Sequence, residues 1–135
     1  MKKNSKKGLS YTKEVMKYFK EPKNMGEMEK PDAEGERISA VCGDFLKIML
    51  KIKDNKIKDI KFQTYGCAAS VASSSVLTEL VKGKTISEAK KITNKDVLNS
   101  LGGLPLVKLH CSDLALGALK EAIKNWERKN SKRKQ

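Results

Sequence analysis

The period of the apolar residues changes once along this chain, and that change limits what it can fold into. Leu46, Ile48, Leu50 and Ile52 alternate with Lys47, Met49, Lys51 and Lys53, the pattern of a half-buried strand. Asp54-Asn55 reads as a two-residue turn, after which Ile60, Phe62 and Thr64 carry the alternation to Tyr65-Gly66. Ahead of them Ile38, Ala40 and Cys42 alternate with Arg37, Ser39 and Val41 until Gly43-Asp44 breaks the run. From Cys67 onward the period is helical. Ala68, Val71, Ala72, Val76 and Leu80 form one helix ending near Gly83, Thr85-Ile86-Ser87-Glu88 fits a capping box, and another helix starts near Thr93 and stops at Gly102-Gly103. Residues 104–109 read as extended through Pro105, and Ser112 reads as the cap of a last helix with Ala115, Ala118, Leu119, Ala122, Ile123 and Trp126 on its face. A short helix carrying Tyr11, Val15 and Phe19 precedes the strands and closes at Pro22. Strands followed by helices, without βαβ alternation, predict an α+β fold: a three-stranded antiparallel sheet packed by helices on one side.

Length and charge narrow the organisation. The chain of 135 residues is one domain's worth, expected over residues 10–128 between basic flexible tails at 1–9 and 129–135. The net charge is +13, but residues 1–7 and 124–135 carry nine of those charges between them. Basicity is thus a property of the ends, and aromatics are only 5%, too few to build a stacking platform for single strands. No specific nucleic-acid partner is expected. No apolar run approaches the ~18 residues of a membrane span, and the lysine-rich start runs into Gly8, Leu9, Ser10 and Tyr11 without a signal-peptide core. The three cysteines are odd in number and far apart, which fits reduced thiols in the cytoplasm better than an exported disulfide framework.

Those cysteines are the candidate chemistry. Cys42 lies at a strand end before Gly43-Asp44, Cys67 at a strand-to-helix junction, and Cys111 just before a helix cap. Helix N-termini favour the thiolate, the form that binds metal or attacks sulfur. Alone, each cysteine reads more readily as a small buried apolar residue, and the close Cys pairs of structural zinc sites are missing. His110, the only histidine, adjoins Cys111 and adds a common zinc or iron ligand. Asp44 is readable as a turn residue or as a carboxylate aimed where Cys42 is aimed. Its harder oxygen suits a labile site better than a locked one.

At these residues the sequence resembles the IscU/NifU-type iron–sulfur cluster assembly scaffold family. The resemblance runs from about Tyr11 to Trp126. It rests on Tyr11-Thr12-Lys13-Glu14-Val15 through Pro22-Lys23-Asn24-Met25-Gly26, on Cys42-Gly43-Asp44, on Thr64-Tyr65-Gly66-Cys67 with Ala72-Ser73-Ser74-Ser75, and on Val107-Lys108-Leu109-His110-Cys111-Ser112. It implies the IscU/NifU N-terminal-like fold and a scaffold without turnover chemistry. Such a scaffold accepts sulfur from a cysteine desulfurase, accepts iron, assembles a [2Fe-2S] cluster and passes it to acceptor proteins. Carried over by position, Cys42, Cys67 and Cys111 would ligate the cluster, Asp44 would tune its lability, and His110 would be an auxiliary ligand. Cys111 would be the first persulfide acceptor. Zn2+ is the alternative occupant, in a zinc-bound sulfur-transfer partner of the desulfurase. Lys108 would assist electrostatically or stand as a solvated lysine. An Hsp70-type chaperone contact is implied at 104–108, where the family's Leu-Pro-Pro-Val-Lys reads Leu104-Pro105-Leu106-Val107-Lys108.

Overall fold

The computed structural model describes residues 11–40 and 43–133. Its elements run α1 (Lys13–Lys20), β1 (Ala33–Ile38), β2 (Phe45–Lys53), β3 (Lys56–Tyr65), α2 (Ala68–Val81), α3 (Ile86–Lys90), α4 (Asn94–Leu101), a 3-10 turn (Leu106–Lys108) and α5 (His110–Arg133). The three strands form one antiparallel sheet in the order β1-β2-β3. The predicted fold class holds.

The register follows from the alternation. Ile48 pairs with Phe62 and Leu50 with Ile60, so the apolar residues of β2 and β3 share one face, and all four are fully buried. Asp54 and Asn55 both take positive φ, 53° and 65°, the backbone that lets a two-residue turn follow the twist of the strands. The expected first strand is displaced. The alternation predicts a strand over Ile38, Ala40 and Cys42, but β1 begins at Ala33 and ends at Ile38; Cys42 lies outside the described residues. The reason is that the inner face of β1 consists of Ala33 and Gly35, which carry almost no apolar signal. What holds the strand there is contact with α5: a Cβ on Gly35 would lie 2.3 Å from the Ala118 carbonyl oxygen and the Ala122 nitrogen. Only a glycine lets strand and helix backbones come that close.

α2 is buried on every side, from Ala69 through Thr78 and again at Val81, as a helix between a sheet and other helices must be. Around it pack the sheet, α1, α4 and α5. Capping is local and legible. Thr12 caps α1 and also donates to the Leu101 carbonyl, Thr85 and Thr93 form capping boxes with Glu88 and Asp96, and Gly102 ends α4 in the left-handed region. In α1 only Val15 is fully buried, whereas Phe19, expected on the same face, is 43% exposed.

Two further corrections fall near the start of α5. The stretch expected to be extended holds the 3-10 turn, with the Lys108 amide donating to the Pro105 carbonyl at 2.8 Å. Leu109 is itself in the helical region, so the turn runs straight into α5 and the helix starts at His110. Ser112 is therefore inside the first turn and does not cap it: its hydroxyl donates back to the Leu109 carbonyl at 3.0 Å. At its other end α5 continues to Arg133, and Lys129 donates to the Asp32 carbonyl at 2.9 Å, past the boundary expected at 128. The tail expected at 1–9 lies outside the described residues. Among the described residues no helix is long and apolar enough to cross a membrane.

Candidate metal centre

Three chain segments meet at one end of the sheet. The β1–β2 connection delivers Asp44, the β3–α2 junction delivers Cys67, and the first turn of α5 delivers Cys111. The Cys67 and Cys111 sulfurs stand 3.7 Å apart, and these two atoms and an Asp44 carboxylate oxygen all lie within 4.8 Å of one another. Two thiolates at about 2.3 Å on one tetrahedral ion stand about 3.8 Å apart. The sulfur pair is thus already at the spacing that a shared ion requires.

Each position has a local cause. Gly43, at φ 77°, lets the connection turn back, closed by bonds from the Ser39 amide to the Asp44 carbonyl at 2.8 Å and from the Gly43 amide to the Ser39 carbonyl at 2.9 Å. Cys67 is the N-cap of α2 in extended conformation, so its sulfur sits at the positive end of that helix. Gly66 beside it leaves room for the carboxylate: a Cβ there would lie 2.7 Å from Asp44 Oδ2 and 2.8 Å from its Cγ. Asp44 Oδ2 accepts from the Ser70 hydroxyl at 2.7 Å and from the Cys67 amide at 3.4 Å.

Electrostatics divide the two thiols. The hydrogen bond between the two sulfurs is the main cause that brings the Cys67 pKa down to about 5, against the cost of burial and with help from the Ser70 amide and Lys108. The same bond raises Cys111, and burial adds to the rise. The thiol favoured for ionisation is therefore the half-buried Cys67, while Cys111 is 1% exposed. The Cys67 thiolate in turn raises the Lys108 pKa. Burial, and then the Cys67 charge, raises Tyr11.

Of the five residues singled out in the sequence, Asp44, Cys67 and Cys111 are brought together. His110 stands at the rim, with Nε2 3.8 Å from Cys111 Sγ, where it lines a cavity of about 220 Å3 with Arg37, Ser39 and Asp113. Cys42 lies outside the described residues. A larger cleft of about 410 Å3, on the outer sheet face between Met25, Lys47 and Tyr65, holds no thiol. Sequence reasoning missed Ser70 and Tyr11 as neighbours of the sulfurs. For Ser70 the signal was its place three residues after Cys67, on the same side of a helix.

The NifU-like N terminal domain matches residues 10–133. The chain belongs to that family. It is 52% identical over 122 residues to an iron-sulfur cluster assembly scaffold protein, IscU 1, of Archaeoglobus fulgidus, covering 90% of this chain and 80% of that protein. It is 47% identical over 123 residues to the iron-sulfur cluster assembly protein IscU of Plasmodium falciparum, covering 89% and 75%. Its fold matches the crystal structure of the N-terminal part of a nitrogen-fixing NifU-like protein from Brucella abortus, with a TM-score of 0.72 at 21% identity over 87% of this chain and 94% of that one. Family membership and the converging thiols thus rest on separate observations.

Proposed function

We propose that this NifU-like domain is an iron–sulfur cluster assembly scaffold, a carrier without turnover chemistry, whose cargo is a [2Fe-2S] cluster. The observation that carries the reading is the sulfur pair at 3.7 Å with a carboxylate beside it, delivered by three separate segments. Cys67, Cys111 and Cys42, two residues before Asp44 in the chain, are the proposed thiolate ligands. Asp44 is the proposed oxygen ligand that keeps the cluster labile, and His110 the auxiliary ligand at the rim. Oxygen is a harder donor than thiolate and holds iron in a sulfide cluster less firmly. A donor needs that weakness.

Sulfur would come from a cysteine desulfurase and the finished cluster would go to acceptor proteins, in the cytoplasm, where thiols stay reduced. Cys111 is the proposed first sulfur acceptor. The exposed Leu106 and Val107, just ahead of it, belong to the segment proposed to meet an Hsp70-type chaperone.

Anaerobic reconstitution with iron, a sulfide source and desulfurase tests the reading. The wild-type chain should gain charge-transfer absorption in the visible, and Cys67→Ser should lose nearly all of it. A variant as strongly coloured as wild type would remove the basis of the proposal. A zinc-bound sulfur-transfer partner is the second reading, favoured by the tetrahedral spacing of the sulfurs. It predicts persulfide formation on the chain with no cluster afterwards.

A further inference from the structure

Asp44 comes from the strand side of the site and Cys67 from the helix side, so the carboxylate has to be held across the gap between two elements. Ser70 spans that gap. It sits in the first turn of α2 and is 2% exposed. Its hydroxyl donates to Asp44 Oδ2 at 2.7 Å and its oxygen stands 3.8 Å from Cys67 Sγ. The Cys67 amide reaches the same carboxylate oxygen at 3.4 Å, so of these two bonds the one from Ser70 is the shorter. A serine inside a helix commonly turns its proton to the carbonyl one turn back. Here the single hydroxyl proton goes to a side chain from another segment. The missing Cβ of Gly66 lets the two meet, since that atom would lie 2.7 Å from Asp44 Oδ2 and 3.0 Å from Ser70 Cβ.

We propose that Ser70 is a positioning residue that keeps the Asp44 carboxylate beside the two sulfurs, and so sets how fast an assembled cluster is given up. The inference rests on the scaffold reading above and deepens it. Ser70 does not ligate the cluster; it acts through Asp44. Held through Oδ2, the carboxylate stays within 4.8 Å of both sulfurs, where it competes weakly with thiolate. Without the Ser70 bond the carboxylate is held less closely against the sulfurs, and the thiolates carry more of the hold on the cluster. Ser70→Ala therefore moves the protein in the direction of Asp44→Ala, toward slower release.

The test uses the full chain with its cluster reconstituted without oxygen, and follows loss of visible absorption to excess chelator. The variants are Ser70→Ala, Ser70→Thr, Asp44→Ala and the double replacement Ser70→Ala with Asp44→Ala. Ser70→Ala should slow release about tenfold, the effect of losing one hydrogen bond to a charged group. Ser70→Thr, which keeps the hydroxyl, should restore the rate, and the double variant should match Asp44→Ala alone. Equal rates in Ser70→Ala and wild type overturn the proposal. So do opposite directions in the two single variants, or an undiminished Ser70 effect once Asp44 is gone, which would put its action on Cys67 or on the fold. Cobalt(II) titration of the metal-free wild-type chain separates the two levels of failure. If wild type neither binds cobalt nor assembles a cluster, the scaffold reading falls and takes this inference with it. If wild type does both and the Ser70 and Asp44 effects simply add, only the inference about Ser70 falls.

Discussion

The two ends of the sheet are built on opposite plans. At one end β2 and β3 join through two residues, Asp54 and Asn55, both in the left-handed region. That turn is pinned by the next segments, with the Ile86 amide donating to the Asn55 carbonyl at 2.9 Å and Gly83 and Lys84 bonded to Ile57 at 2.8 Å. Among the described residues that end carries no cysteine or histidine. At the other end, roughly 25 Å along β2, β1 and β2 join through residues 39–44, and the connection supplies Asp44 to the sulfurs of two other elements. The first end is a geometric closure whose only product is register. The second spends chain length and a glycine at Gly43 on placing a ligand. Stability and function are thus separable along a single hairpin layer, and the separation can be tested from both sides.

The largest effect is expected within the thiol pair. If the bond to Cys111 is what holds Cys67 low, then Cys111→Ala raises the Cys67 midpoint from about 5 toward the ordinary thiol range. Alkylation of Cys67 in the metal-free chain, followed by mass spectrometry against pH, checks this. The thiolate, and with it the labelling rate, is present above the midpoint and lost as pH falls through it. Labelling at pH 6 should drop by about a hundredfold or more in the variant; an unmoved midpoint would assign the low value to the helix terminus alone.

A smaller effect is expected from Gly66→Ala. Its Cβ displaces the Asp44 carboxylate, and the backbone at Gly66 is not in the left-handed region, so the fold should hold. Cobalt(II) affinity should fall about tenfold, as for loss of an outer-shell partner, with little change in melting temperature. A large drop in melting temperature would erase the contrast between the two ends. The smallest change belongs to the far turn. Asn55→Val forces a β-branched residue into φ 65° and should cost about 1–2 kcal/mol of stability, read by denaturant titration. Cobalt affinity measured on the same variant should not move.

How much of this was legible depends on where side-chain chemistry carries the signal. The β2–β3 hairpin, its Asp54-Asn55 turn and the Thr85 and Thr93 capping boxes were readable because alternation and capping are local. β1 was misplaced for the opposite reason. Its inner face is Ala33 and Gly35, and their fit against Ala118 and Ala122 is invisible to any count of apolar residues. The start of α5 was misread because Ser112 has the composition of a cap, while the turn ahead of it had already set Leu109 helical. At the site, Asp44, Cys67 and Cys111 were named in advance by residue type and by family resemblance. Ser70 was not, since a serine in a run of small helical residues looks like packing.

By itself the sequence determined the period of the β2–β3 hairpin and of the central helices, the family, and which side chains could bind a metal, because all three are properties of local order and residue type. Only the tertiary structure decided that two sulfurs 44 positions apart stand 3.7 Å from each other, and that their contact pushes the two thiol pKa values apart. Proximity between distant segments is a product of packing, and the sharing of a proton is a product of proximity.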